Sequence, residues 1–286
     1  MHLMMAMLFM LASIAAEATP DAVVEAVQMP VWLQRGEHTM PLRVGTELRN
    51  GDRLFTGEHA RLYLTTADGS TVKLGEKASL RLDGLAQNQQ DSQTFRAVLN
   101  VVKGAFRFTT GALNKLRSRD VTVRVAGATI GIRGTDVWGK DGDEQGVVCL
   151  IEGRIEVLGP DQKPFVMDQP RSFYRMPRDG TPPPVAPVDP EQLNKWAAET
   201  ELSAPAAQRG GKWKVTLLTT TDQTSALAAY DQWREAGYDV RIFPTVREGG
   251  HDYQLRLIGL PDRTSAERLA AQLRGQMGAN HPVASR

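Results

Sequence analysis

The residues with the densest chemical potential lie between Gly127 and Glu152. Asp141-Gly142-Asp143-Glu144-Gln145-Gly146, followed by Glu152, approaches a calcium loop, in which oxygen ligands at alternate positions and a terminal Glu surround the ion. Gln145 stands where Asp or Asn is wanted, and strand-like sequence flanks the run where that loop needs helices. A hairpin turn is therefore expected, and no metal site is assigned. Gly127, Gly131 and Gly134 miss the G-x-G-x-x-G spacing and precede no helical pattern, so they serve tight backbone turns instead of a dinucleotide. Arg133 and Asp136 carry opposite charges at that corner and are expected to pair. Gly131, Arg133, Gly134, Thr135 and Asp136 then form a structural motif.

Catalytic groups are sparse. His2, His38, His59, His251 and His281 are scattered without H-x-x-x-H zinc spacing. Neither a G-x-S-x-G nucleophile elbow nor a G-K-[ST] phosphate loop occurs. The single cysteine, Cys149, sits inside the apolar run Val147–Ile151 and reads as a small buried side chain. The chain is read as a non-enzyme with no catalytic residue and no cofactor.

Composition narrows the partners. Net charge is +1, from 34 basic and 33 acidic residues, without blocks of one sign, so nucleic acid is not an expected partner. Leu3–Ala16 is apolar and uncharged, and Ala16-Glu17-Ala18 offers a small-x-small cleavage pattern. Residues 1–18 are therefore expected to be a signal peptide, its apolar core shorter than a usual membrane span, with retention as an uncleaved membrane anchor as the alternative. With two residues ahead of that stretch, no cytoplasmic regulatory segment is expected. An exported chain with one Cys has no internal disulfide, so its stability must come from core packing.

From residue 22 to residue 176 the pattern is strand after strand. Leu62/Leu64, Val72/Leu74 and Leu80/Leu82 alternate with polar residues, as strands with one buried face require. Asn50-Gly51-Asp52 marks a turn, and Asp68-Gly69 between two alternating runs predicts a two-residue hairpin loop. Further strands are expected at Val98–Val102, Ala105–Phe108, Val121–Val125, Thr129–Ile132, Val137–Trp138, Val147–Ile151 and Ile155–Leu158. An all-β domain follows, as a rolled sheet or a β-helix-like stack.

Four motifs here carry a resemblance. Gly51-Asp52-Arg53-Leu54 with Thr56-Gly57, Ala67-Asp68-Gly69-Ser70 with Leu74-Gly75, Gly131-Ile132-Arg133-Gly134-Thr135-Asp136, and Glu152-Gly153-Arg154-Ile155-Glu156-Val157 occur in the order of the FecR domain. The region resembles that family over about half the chain. The resemblance implies a periplasmic domain of the sensor class, whose best-known members regulate an extracytoplasmic sigma factor through a cytoplasmic N-terminal segment.

Residues 177–211 are rich in proline, with Pro182–Pro184, Pro187 and Pro190, and read as a semi-rigid spacer. A short helix is predicted over Pro190–Leu202, capped by Asp189, with Leu193, Trp196 and Ala197 on one face. Ala204–Gly211 reads as a flexible joint.

From residue 212 to residue 286 strands alternate with helices. Asp222-Gln223-Thr224-Ser225-Ala226 recurs as Asp262-Arg263-Thr264-Ser265-Ala266, each copy after a strand. A β-α-β unit used twice predicts a small α+β domain of ferredoxin-like plan, both helices on one face. Val215, Leu217, Leu255 and Leu257 should face those helices; Thr216, Leu218, Thr220, Gln254, Arg256 and Ile258 should face away. The segment resembles the SPOR domain, a peptidoglycan-binding module that its family associates with glycan strands stripped of stem peptides. It departs from the family at Thr216, at Leu218-Thr219 and at Gln254. Glycan-binding candidates are Thr216, Leu218, Thr219, Tyr253, Gln254 and Arg256.

The sequence thus describes an exported, multidomain, non-catalytic protein of the periplasm. Its expected partners are peptidoglycan glycan strands for the C-terminal domain and an envelope protein or wall ligand for the β-domain. The alternative is a periplasmic sensor signalling to a membrane partner.

Overall fold

The computed structural model describes residues 22–87, 94–111, 118–179 and 181–286. The expected signal peptide, residues 1–18, lies outside the described residues.

Strands from Ala22–Gln28 through Ser172–Pro177, joined by short ones at Ala186–Pro187 and Ala207–Gln208, form one 18-stranded hydrogen-bonded sheet. Alternation is visible in burial. Arg61–Thr66 buries Leu62, Leu64 and Thr66, and its partner Thr71–Leu74 buries Val72 and Leu74. Their connection differs from the expected two-residue loop. Thr66 and Ser70 still pair, through Thr66 N–H to Ser70 C=O at 2.9 Å, so three residues, Ala67-Asp68-Gly69, make the turn. Buried Asp68 accepts from the hydroxyls of Thr66 at 2.5 Å and Ser70 at 2.6 Å, which satisfies the carboxylate inside the turn.

The strand Thr94–Thr109 joins the two halves of this sheet. Its first part pairs with Ser79–Gln87 and, in parallel, with Ser118–Val125; its last part pairs with Thr71–Leu74 and Asp136–Asp141. The sequence suggested two strands here. One strand suffices because Gly104 adopts φ +83°, and a Cβ there would lie 2.6 Å from Ala78 Cα, so no other residue fits.

Residues 177–211, expected as a semi-rigid spacer, are paired with the large sheet near both ends. Ala186–Pro187 pairs with Ser172–Phe173, and Ala207–Gln208 pairs with Ala26–Val27 of the first strand. Between them runs helix α1, Pro190–Ala198, with Asp189 as its cap, accepting from Glu191 N–H and Gln192 N–H. Trp196 of α1 packs on a second apolar cluster of Ala105, Trp138, Val147, Cys149 and Val188 on the outer side of the sheet. The expected flexible joint is also held: Ser203 and Ala204 N–H groups donate to Gln28 Oε1 at 3.0 and 3.1 Å. Proline lacks a backbone donor, and the edge strand Ala186–Pro187 tolerates that lack.

The C-terminal unit is a four-stranded antiparallel sheet with spatial order Arg241–Arg247, Gly250–Leu260, Trp213–Thr220, Val283–Ser285. Helices α2 (Gln223–Glu235) and α3 (Arg263–Leu273) are capped by Asp222 and Asp262, the repeated pair in the sequence. Their buried residues Ala226, Trp233, Ala266, Leu269 and Leu273 cover Val215, Leu217, Leu255 and Leu257, all nearly inaccessible.

The two units share a seam. Val31 N–H donates to Gly237 C=O at 3.1 Å, and Trp32 Nε1–H to Glu235 C=O at 3.2 Å. Arg43 binds Asp239 through both Nε and Nη2, the closest contact at 3.0 Å. Buried apolar side chains of both units belong to one continuous cluster.

Candidate functional site

Opposed residues in an antiparallel pair point to the same side of the sheet, so the register assigns each face. Thr216 is opposite Arg256; after a bulge at Leu217, Leu218 is opposite Leu255, Thr219 opposite Gln254 and Thr220 opposite Tyr253. The extra residue reverses the alternation expected from sequence. Leu218 therefore turns to the side of buried Leu255 and packs against the core, which corrects its placement on the open face. Thr220 is corrected with it. Tyr253 also belongs to the helix side: it packs on the core, and its hydroxyl donates to Gln223 Oε1 of α2 at 3.4 Å. Thr216, Thr219, Gln254 and Arg256 come together on the face that no helix covers.

Two residues of that face were missed. Phe243 is opposite Gln254, and Arg241 opposite Arg256. The Arg256 guanidinium lies over the Phe243 ring, 4.8 Å from its centroid, and donates to Gln254 Oε1. The result is an ordered arginine on an aromatic plane, with the Gln254 side-chain carbonyl already accepting from it. Period-two counting along Ile242–Val246 would have placed Phe243 on this face.

The Gly131–Asp136 motif does different work. Asp136 pairs with Arg107, through Nη2 at 2.6 Å and Nε at 2.9 Å, and accepts from Thr109 Oγ1 at 3.1 Å. Arg133 is exposed, so the expected Arg133–Asp136 pair is replaced by a bidentate one from a neighbouring strand, where Trp138 faces Arg107 in register. At the corner itself Gly153 has φ +90°, and a Cβ there would meet Gly134 C=O at 2.6 Å. Thr135 is buried.

Arg107 also reaches Glu201 at 3.2 Å, and Glu201 accepts from Lys73 at 2.7 Å and from the Tyr63 hydroxyl at 2.6 Å. This network fastens residue 201, just after α1, to the sheet, so that residues 177–211 form a strap held along its length. Burial opposes the Glu201 charge, but hydrogen bonds from Lys73 and Tyr63 outweigh it and hold the carboxyl below its ordinary range. Burial and the bond to Glu201 push the Tyr63 phenol up.

The acidic run Asp141–Gly146 is the turn of a hairpin between Asp136–Asp141 and Gln145–Glu152, closed by Gly142 N–H to Gln145 C=O at 3.1 Å. Among the described residues no group of three or more His, Cys, Asp or Glu is placed to hold a metal ion. Cys149 is fully buried, and desolvation pushes its thiol up to about 12, far from a reactive thiolate.

Comparison with known proteins agrees with this division. The FecR protein family matches residues 52–156, and the SPOR domain family matches residues 210–284. No curated protein matches the chain. Two crystal structures of a candidate anti-sigma factor from Parabacteroides distasonis are similar at 16% identity and a TM-score of 0.41, covering 77% of this chain and 89% of that one. Among the described residues no helix is long and apolar enough to cross a membrane. The chain is a FecR-domain protein with a C-terminal SPOR domain.

Proposed function

We propose that this protein is a non-catalytic component of the cell envelope, exported to the periplasm, that binds peptidoglycan glycan strands through the open sheet face of its SPOR domain. The observation that carries this is the grouping of Phe243, Arg256, Gln254, Thr216 and Thr219 on one uncovered surface. Sugar rings present C–H faces to an aromatic plane and hydroxyls to amide, hydroxyl and guanidinium groups, and this face offers all of these. Arg256 supplies the charged donor that Gln254 lacks. The FecR domain takes a protein or wall ligand of its own; what supports this is an open groove of about 1140 Å³ beside α1, lined in part by Trp138, Phe173 and Lys140.

Fold details accompany the reading. The β-α-β-β-α-β chain order and the spatial order of the four strands support a ferredoxin-like plan for the SPOR domain. The dominance of antiparallel pairing, with Thr94–Val101 against Ser118–Val125 as a parallel exception, supports a rolled sheet over a β-helix for the FecR domain.

The test is sedimentation of the chain from residue 22 onward with purified sacculi, before and after an amidase removes stem peptides. Binding that increases after stripping is expected. No binding to either preparation would exclude the glycan assignment.

A further inference from the structure

At the seam between the domains lies a pocket of about 200 Å³, lined by Arg43, Arg209, Asp239, Arg241, Gly210 and Ile258 among others. Its charges do not balance. Asp239 is the carboxylate in its lining, already bound by Arg43 at 3.0 Å, with Arg241 at 3.7 Å and, from α2, Arg234 at 3.8 Å. Arg209 at the rim is matched by Glu25 at 3.1 Å. Three guanidinium groups therefore share one carboxylate. Arg241 is the least satisfied: its Nε is buried without a hydrogen-bond partner, and its nearest acidic oxygen is beyond hydrogen-bond reach. Arginine is also the group best suited to a planar oxyanion.

The position of the pocket matters as much as its charge. Arg241 is the cross-strand partner of Arg256, and Ile258 lies two residues beyond Arg256 on the same strand, so the pocket opens at the end of the candidate glycan face. Gly210 narrows nothing, since a Cβ there would meet no atom within 4 Å. Removal of a stem peptide by hydrolysis of its amide leaves a free carboxylate on the lactyl ether of each muramyl sugar. At the lactyl position a stripped strand thus carries a planar anion where an intact strand carries a neutral amide.

Resting on the glycan reading above, we infer that the seam pocket is a carboxylate-binding site formed by both domains, in which Arg241 takes the free lactyl carboxylate of a peptide-free strand. The FecR domain contributes Arg43, which saturates Asp239 and so releases Arg241 for the ligand. Preference for stripped strands then comes from charge at this site and not only from steric exclusion of peptides.

The experiment compares binding of the chain from residue 22 onward to three probes: peptide-free muramyl glycan strands, the same strands with their carboxylates amidated by carbodiimide and ammonia, and N-acetylglucosamine oligomers without lactyl groups. Wild-type protein is expected to lose about tenfold in affinity on amidation, the size of one charge-assisted hydrogen bond. Arg241→Gln is expected to bind both strand preparations equally and weakly, and Arg241→Lys to keep most of the preference. Equal wild-type affinity for free and amidated strands overturns the carboxylate site while leaving the glycan reading intact, and so does an Arg241→Gln protein that keeps the wild-type preference. Failure of wild-type protein to bind any of the three probes removes both.

Discussion

The indole of Trp196 lies flat on that of Trp138, their centroids 4.9 Å apart and their planes 9° from parallel. Phe173 meets the same Trp196 edge-on at 5.5 Å. One side chain of a nine-residue helix thus seals the outer apolar patch of the FecR domain, including Cys149. Replacing Trp196 by Ala removes the stacked pair and leaves Trp138 facing water, a loss of about 2–3 kcal/mol in unfolding free energy by urea titration. Because Cys149 lies under this cover, its labelling by a maleimide should accelerate in the same variant. An unchanged labelling rate would show that α1 does not shield it.

The seam rests on a backbone position. Gly237 has φ +86°, and a Cβ there would lie 2.6 Å from the Trp32 ring. Gly237→Ala meets both penalties together, and a cost of about 2 kcal/mol is expected, concentrated at the seam. Limited proteolysis should then cut between the domains, and the fluorescence of Trp32 should shift to the red. Arg43→Ala breaks an ion pair whose arginine is half exposed, so its effect on stability should stay under about 1 kcal/mol.

Acid should loosen the strap. The folded carboxyl of Glu201 titrates below its ordinary value, so its contribution is complete above that value, near pH 4.5, and is lost as pH falls through the lower folded value. Its side chain is 43% exposed, and solvent screening keeps the effect modest. Melting temperatures taken from about pH 7 down to about pH 3 should fall less steeply for Glu201→Gln than for wild type. Parallel curves would assign the acid sensitivity elsewhere.

The bulge at Leu217 separates two neighbouring substitutions. Phe243→Ala should leave the melting temperature nearly unchanged and weaken binding to stripped strands about tenfold. Leu218→Ala should act in the opposite way, lowering stability by about 2 kcal/mol through its packing on the core while the folded fraction binds normally. Reversal of these outcomes would mean that the two faces of the sheet have been exchanged.

Much of this was legible because it is local. Alternation in Arg61–Thr66 and Thr71–Leu74 reveals strands, and Asp222 and Asp262 reveal two helix starts, the first accepting from Thr224 and Ser225 N–H and the second from Ser265 N–H. What escaped depends on distant partners or on single insertions. Arg107 reaches Asp136 from a neighbouring strand, and nothing in the Arg133–Asp136 spacing excludes the nearer but wrong arginine. The bulge displaces Leu218 without any change of composition, since one extra apolar residue in a strand looks like strand. Pro182–Pro184, Pro187 and Pro190 read as a spacer because they favour an extended polyproline form, although a short edge pairing accepts that same extended backbone.

The strap closes on the first strand, where Ala26 is opposite Gln208 and Glu25 C=O accepts from Arg209 N–H at 3.0 Å. A chain made from its N-terminus carries Ala26 and Val27 with one side bare until the far end of the strap has emerged. Contacts so remote in sequence form slowly, and a bare strand edge is a template for other chains. Interruption between Pro177 and Ala207 should therefore yield aggregated material in addition to a protein without its SPOR domain. The order of synthesis, and not only the finished contacts, ties residue 208 to the first strand of the large sheet.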